Sequence, residues 1–504
     1  MVWSEAIAVE GLESPDEAIR RIEQVTPEDV NRAARRYLDL RHAVSAVLTP
    51  QGSAKPVTGG FGRQEKVSLG EAKPTPLPSW ADAALEHVAV PPSAVHPVVS
   101  TLSNGIRLIV QSEDVSDTVS VYGYVRNRPE MQVPKGQEGL SQVLDRLFPY
   151  GTESLDRVSF EQAIDSIGAS AHAGSEFSVQ SLAEKFERAV QLLADNELHP
   201  RLPADAFDIV KSQVAQSVAG ARKSPGYQAG RAVRAALLPK DDPELREPLP
   251  ETVEALTLEQ VREYYRAAFR PDLAVIVVIG KVAPEAAKAV IEKYFGGWSA
   301  VGPRPDTDFP PVPANAAGTV AVADTARVQD RVMLAENMQL TRSHPDYYAL
   351  ELGNSVLGGA FYSSRLTRDI RKQAGLVYSI ESNLDLGRTR GLYAIEYASD
   401  PPNVSKVRDM VRLELERMQK DLVPEDELAR AKALLLRRIS LQEESMEGIA
   451  RGLIHRWVLD LPLDEPTRAA GRFLQTGAAE VKAAFAKWVR PDGLVLVSQG
   501  PAPQ

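Results

Sequence analysis

The chain contains no cysteine in 504 residues. Disulfides, thiolate catalysis and every cysteine-ligated zinc or iron–sulfur centre are therefore excluded, and the redox compartment is left open. It has no run of 18 apolar residues, so no stretch is suited to cross a membrane as a helix. The opening residues, MVWSEAIAVEGLESPDEAIRR, have no basic segment followed by an apolar core and do not read as a secretory signal. Positive charge is scarce as well. Lys and Arg number 58 against 68 Asp and Glu, a net charge of −10, so no broad basic footprint for nucleic acid is expected. The seven histidines (His42, His87, His96, His172, His199, His344, His455) are scattered, with no pair at metal-ligand spacing. What is present is ordinary for a globular protein, with 43% hydrophobic and 25% charged residues. The length suits about three domains, or two large ones with additional material.

Prolines punctuate the chain. They crowd about 73–97 (KPTPLPSWADAALEHVAVPPSAVHP) and Gly296–Pro313 (GGWSAVGPRPDTDFPPVP). Each proline lacks a backbone donor and biases the residue before it toward extended forms, so neither stretch suits a helix or a central strand. Both read as connectors between bodies of about 200 residues. Within the bodies, Gly105–Val110 and Val119–Val125 alternate like strands. Phe160–Ile167 and Arg188–Asn196 show helical spacing. Val404–Leu422 and Glu425–Glu443 read as long amphipathic helices separated at Pro424. Strands and helices are grouped rather than strictly alternating, which predicts an α+β fold with mixed or antiparallel sheets and helices packed on them.

A helix–turn–strand unit occurs three times: Val30–Pro50, Val261–Gly280 and Val481–Gly500. The leading valines stand 231 and 220 residues apart. The second and third copies place Arg-Pro-Asp at the same offset, where the first has Asp39-Leu40-Arg41. A duplicated domain closed each time by this unit accounts for the pattern. The first copy then closes a domain whose body is absent, which predicts a tail of a preceding domain at 1–50. A Pro-rich linker at 51–97 follows, then homologous domains at 98–298 and 314–504 joined by a linker at 299–313.

Two segments carry a resemblance. Gly139–Thr152 (GLSQVLDRLFPYGT) resembles the zinc-binding helix of the pitrilysin/insulinase (inverzincin) metallopeptidases, G-L-x-H-x-x-E-H followed by G-T. Leu102–Leu108 (LSNGIRL) resembles the opening strand of those domains. Leu357–Tyr378 (LGGAFYSSRLTRDIRKQAGLVY) resembles the family's L-G-G-x-x-x-S-R-L-x-x-x-I-R-x-x-x-G-L-x-Y segment with almost nothing lost. In the family's zinc helix, two histidines four apart bind the metal and the glutamate activates the bound water. Here Gln142, Asp145 and Arg146 occupy those positions. A glutamine is a poor ligand beside imidazole, and an arginine is a permanent cation that repels a divalent metal. The family's third ligand, a glutamate 70–80 residues downstream, is missing too, since no Asp or Glu lies between Ile209 and Lys240.

The resemblance implies two metallopeptidase-like domains, the first with a decayed zinc motif and the second bearing Arg371 and Tyr378, the family's Arg/Tyr pair. A phenol and a guanidinium suit the oxyanion that develops when an amide is cleaved. It further implies the non-catalytic half or subunit of a zinc endopeptidase, inactive alone, with no metal of its own. Zinc would sit on a partner or a missing N-terminal half, and peptides or unfolded segments would be the substrates. The alternative is a catalytically dead structural or binding subunit, like processing-peptidase or respiratory core subunits. A metal-independent peptidase has no G-x-S-x-G elbow or carboxylate dyad to support it. Bacterial relatives of this kind are often periplasmic, and the sequence leaves periplasm and cytoplasm both open. The Gly358-Gly359 pair reads as a close helix–sheet approach or a simple turn.

Overall fold

A computed structural model describes residues 7–9, 11–38, 41, 43–46, 88–360 and 362–503. Most of the expected 51–97 linker, with His42 and His87, lies outside the described residues. The chain divides into two units, Met1–Gly59 and Gly60–Gln504.

In the first unit, helices span Pro15–Glu23 and Pro27–Tyr37. Each has proline in its first turn, where the missing N–H costs nothing. Residues 43–46 follow the second helix without forming a strand. A strand needs a neighbour to satisfy its backbone, and no sheet exists among the described residues of this unit.

The second unit contains two sheets. The first is built from β1 (Val98–Thr101), β2 (Arg107–Ser112), β3 (Thr118–Val125), β4 (Ser170–His172), β5 (Glu176–Leu182) and β6 (Ala274–Gly280), in the order β1-β2-β6-β3-β5-β4. The strand expected at 105–110 begins two residues later. Gly105 has φ +97° and turns the β1–β2 hairpin, a conformation closed to most L-residues. The second sheet comprises β7 (Gly318–Ala323), β8 (Asp330–Met338), β9 (Val377–Leu386), β10 (Gly391–Ser399) and β11 (Val495–Gly500), in the order β7-β11-β8-β10-β9.

With β1 set aside, both sheets share one plan. The last strand enters the middle, parallel to the first strand and antiparallel to the second, and the fourth and third complete the row. The second and third copies of the sequence repeat supply these inserted strands. The α+β class with mixed, mostly antiparallel sheets is as expected from the sequence.

Each sheet packs its own helices on one face. The opposite face is covered by a helix from the other half of the unit. Ile449, Ala450 and Leu453 of the Met446–Val458 helix bury against Ile109, Val275, Val277 and Ile279 of the first sheet. Reciprocally, Val233 and Leu237 of the Pro225–Leu237 helix bury against Val322, Ala335, Ala394, Val495 and Val497 of the second. This is why β6 (AVIVVIG) is buried along its whole length and reads as a continuous apolar run. The Arg390 guanidinium, on the second half, clamps the Asp242 carboxylate at 2.7 and 3.0 Å.

The second proline stretch forms neither helix nor strand from Trp298 to Pro313. Arg270, from the repeat's Arg-Pro-Asp, donates to the carbonyls of Val301, Gly302 and Pro303 at 2.7–3.1 Å and pairs with Asp272 at 2.9 Å. The matching Arg490 donates to the Asn315 carbonyl and pairs with Glu336, both at 3.0 Å.

Candidate functional site

The degenerate motif sits on a helix, Leu140–Leu147, entered through Gly139 at φ +108°. A Cβ at Gly139 would come within 2.6 Å of Val253 Cγ2, so the entry needs glycine for space as well as angle. Leu140, Val143, Leu144 and Leu147 are buried. Helical spacing then leaves Gln142, Asp145 and Arg146 together on the opposite face.

All three line one cavity of about 660 Å³. Its far wall is Ser217, Val218, Ala221 and Arg222 of the Ala204–Lys223 helix, where the family's third ligand would come from. Arginines engage two of the cavity's carboxylates, Glu244 and Glu247. Glu247 collects Arg234 at 2.8 Å, Arg231 at 3.3 Å and Arg222 at 3.4 Å. Nearby, Glu138 pairs with Arg246 at 2.8 Å. With an amide at 142, a guanidinium at 146, further arginines in the wall and no histidine, a lining whose motif keeps only the Asp145 carboxylate does not fit a zinc ion. Among the described residues, no group of three or more His, Asp or Glu side chains gathers as metal ligands would.

Burial raises the Asp145 carboxyl to about 6. Behind it lies Glu197, fully buried, a residue that sequence reasoning did not single out. Burial, and then the neighbouring Asp145 charge, push the Glu197 carboxyl up to about 8, against the Gly174 N–H that it accepts at 2.9 Å. The available signal was its place four residues after Leu193 on the apolar stripe of Phe186–Leu198, where an acid is rare.

Arg371 and Tyr378 are brought together at the edge of the second sheet. Arg371 lies in a wide π-helical turn, Thr367–Gln373. Gly375, at φ +64°, reverses the chain into edge strand β9, whose second residue is Tyr378. The Arg371 guanidinium carbon stands 5.5 Å from the Tyr378 ring centroid and 5.4 Å from that of Tyr362. Tyr378 is 77% exposed and Tyr362 64%. Tyr362 lies inside the matched segment, yet nothing in the motif marked it. Asp369, two residues before Arg371, pairs with Arg368 at 2.7 Å. Gly358 is a close approach: a Cβ there would meet the Ser382 backbone nitrogen of β9 at 2.8 Å. Arg371 and Tyr378 are not among the residues lining the Gln142/Asp145/Arg146 cavity.

The duplicated α+β architecture carries Gln142, Asp145 and Arg146 on one helix face and sets Arg371 beside Tyr378. Residues 255–435 match the family model described as the Peptidase M16 inactive domain. An uncharacterized zinc protease of Mycobacterium tuberculosis is 26% identical over 361 residues, spanning 69% of this chain and 80% of the relative. The peptidase M16 inactive domain from Pseudomonas fluorescens superposes with a TM-score of 0.72 at 21% identity, covering 81% of this chain and 98% of that one. The periplasmic protease PqqL from Escherichia coli superposes with a TM-score of 0.65 at 14% identity, covering 82% of this chain and 48% of that one. The chain is thus similar to M16 peptidases over about two thirds of its length, and residues 255–435 match the inactive-domain model.

Proposed function

We propose that this chain is the non-catalytic half of a zinc-dependent endopeptidase, forming chamber wall and lending Arg371 and Tyr378 to a zinc site held on a homologous half or subunit. In this reading 98–298 is the degenerate zinc-domain homologue and 314–504 the Arg/Tyr-bearing domain. The 1–50 segment is the tail of a further domain, with 51–97 and 299–313 as linkers. The carrying observation is the contrast between two sites. The motif face holds Gln142, Asp145 and Arg146, whereas Arg371 and Tyr378 stand side by side with the phenol ring mostly exposed. A guanidinium and a phenol O–H at that spacing can both donate to one developing oxyanion. Peptides or unfolded segments would be selected by the chamber's size, and that the chain aligns with about half of a longer protease supports the pairing of halves. The periplasm is one candidate compartment, by analogy with that protease, and the cytoplasm the other.

The test is Tyr378→Phe in this chain, assayed with a zinc-bearing homologous half. Loss of an oxyanion donor lowers turnover by about 10²–10³ with little change in KM. The isolated chain should contain no stoichiometric zinc by elemental analysis and cleave no peptide. Unchanged turnover in Tyr378→Phe would instead favour a second reading, a structural or binding subunit with the same fold. The match to an inactive domain model supports that alternative.

A further inference from the structure

The cavity on the Leu140–Leu147 helix face holds polar groups that the fold leaves unused. Four arginines and four acidic residues line it, so its formal charges balance. Most of them are engaged: Arg222 and Arg234 with Glu247, Arg246 with Glu138, and Glu244 with Arg390 at 3.0 Å. The remaining three, Glu130, Asp145 and Arg146, make no ion pair or side-chain hydrogen bond among the described residues, and neither does the Gln142 amide. Asp145 and Arg146 do not neutralise one another, because successive helix positions diverge by about 100°.

Asp145 and Glu130 form an acidic corner. Burial, then the charges of Asp145 and Glu130, push the Tyr264 phenol up. The Tyr264 O–H is itself buried with no hydrogen-bond partner among the described residues. Behind Asp145, Gly174 donates its N–H to Glu197 at 2.9 Å, and a Cβ on Gly174 would stand 3.8 Å from Asp145 Oδ1. The other Glu197 oxygen, Oε1, is fully buried and has no partner among the described residues. A carboxylate in such surroundings is costly unless a cation or a donor meets it. Arg146 supplies the opposite charge, and its planar fork matches a carboxylate in two places at once.

We infer that this cavity is a binding site for a small zwitterion, an α-amino acid or a short peptide with both ends free. The ammonium group, with three N–H donors, goes to the Asp145 and Glu130 carboxylates and the Gln142 amide oxygen. The carboxylate goes to the Arg146 guanidinium. A bare cation would meet the arginines and a bare anion the acids, whereas a molecule carrying both charges suits a lining whose charges balance. The volume of about 660 Å³ lies within the range of about 300–1,000 Å³ usual for small-ligand pockets. The inference goes beyond the proposed function and needs no zinc-bearing half, since all four binding residues lie on this chain.

The experiment is isothermal titration calorimetry of the full chain with alanine and with trialanine. A zwitterion should bind saturably, and the tighter of the two identifies whether the chemistry comes from a free amino acid or a peptide. For that ligand, N-acetylation removes the ammonium and C-amidation removes the carboxylate, and each should weaken binding at least about tenfold. Asp145→Asn should shrink the acetylation penalty and keep the amidation penalty, and Arg146→Gln should do the reverse. Both variants should melt as the wild type does, because both side chains are exposed in the cavity. The capped ligands are titrated into the wild-type chain, so that comparison stands even where a variant fails to fold. No saturable binding of either zwitterion, equal binding of the capped forms, or variants that leave both penalties unchanged overturns the inference. No arm reads turnover, so a Tyr378→Phe result that sinks the functional reading leaves this one standing.

Discussion

A single carboxyl shows how much one residue's surroundings can matter. Glu197 is fully buried, and its carboxyl is raised to about 8. Because the folded value lies above the unfolded one, the associated stability is fully present below about 4.5 and is lost as pH climbs through about 8. Glu197→Gln keeps an oxygen to accept the Gly174 N–H and removes the charge. At pH 9 it should stabilise the protein by at least about 1.4 kcal/mol, and at pH 4 by little, as read from denaturant midpoints across pH. A uniform shift at all pH values would show that the charge is not the cause. Gly123 illustrates a steric limit. It lies directly across from Phe177 on β5, whose ring occupies the place of a Cβ, 2.0 Å from the nearest atoms. Gly123→Ala should therefore cost about 1–3 kcal/mol, with the ring displaced.

At the scale of elements, several helices were legible because apolar spacing and capping chemistry agree. The helix expected at Glu425–Glu443 runs from Glu425 to Gln442 directly after Pro424, and the one expected at Val404–Leu422 ends at Lys420. The Leu140–Leu147 helix was legible as a motif, and its burial pattern follows from four apolar residues at helical spacing. What the spacing could not reveal is which sheet a helix serves. Met446–Val458 and Pro225–Leu237 each lie in one half of the sequence and cover the sheet of the other. Leu453→Ala removes a side chain buried against Val275, Val277 and Ile279, and should cost about 2–5 kcal/mol. The loss should appear in hydrogen-exchange protection of β2 and β6, which lie far along the chain from residue 453. Protection lost only within Met446–Val458 would show that the helix does not support that sheet.

For the molecule as a whole, the exchanged helices predict that the two sheets of the Gly60–Gln504 unit unfold together. Removing either helix strips the buried face of the opposite sheet, so neither half keeps its core once the other opens. Thermal unfolding followed by hydrogen exchange at β6 and at β11 should give coincident transitions, and two separated ones would refute this coupling. The same architecture holds the Gln142/Asp145/Arg146 cavity and the Arg371/Tyr378 pair on one body.

Short-range residue patterns were enough for the fold class and the repeated helix–turn–strand unit, while the reading of Gln142, Asp145, Arg146, Arg371 and Tyr378 came from resemblance to a family. Each depends on residue type at short spacing, and side-chain chemistry and helical periodicity do not need distant partners to be read. Only the folded chain decided that Glu197 is a buried acid, that Tyr362 joins Arg371 and Tyr378, and that each half borrows a helix from the other. These facts arise from contacts between residues far apart in the chain, and burial depends on what the rest of the protein places overhead.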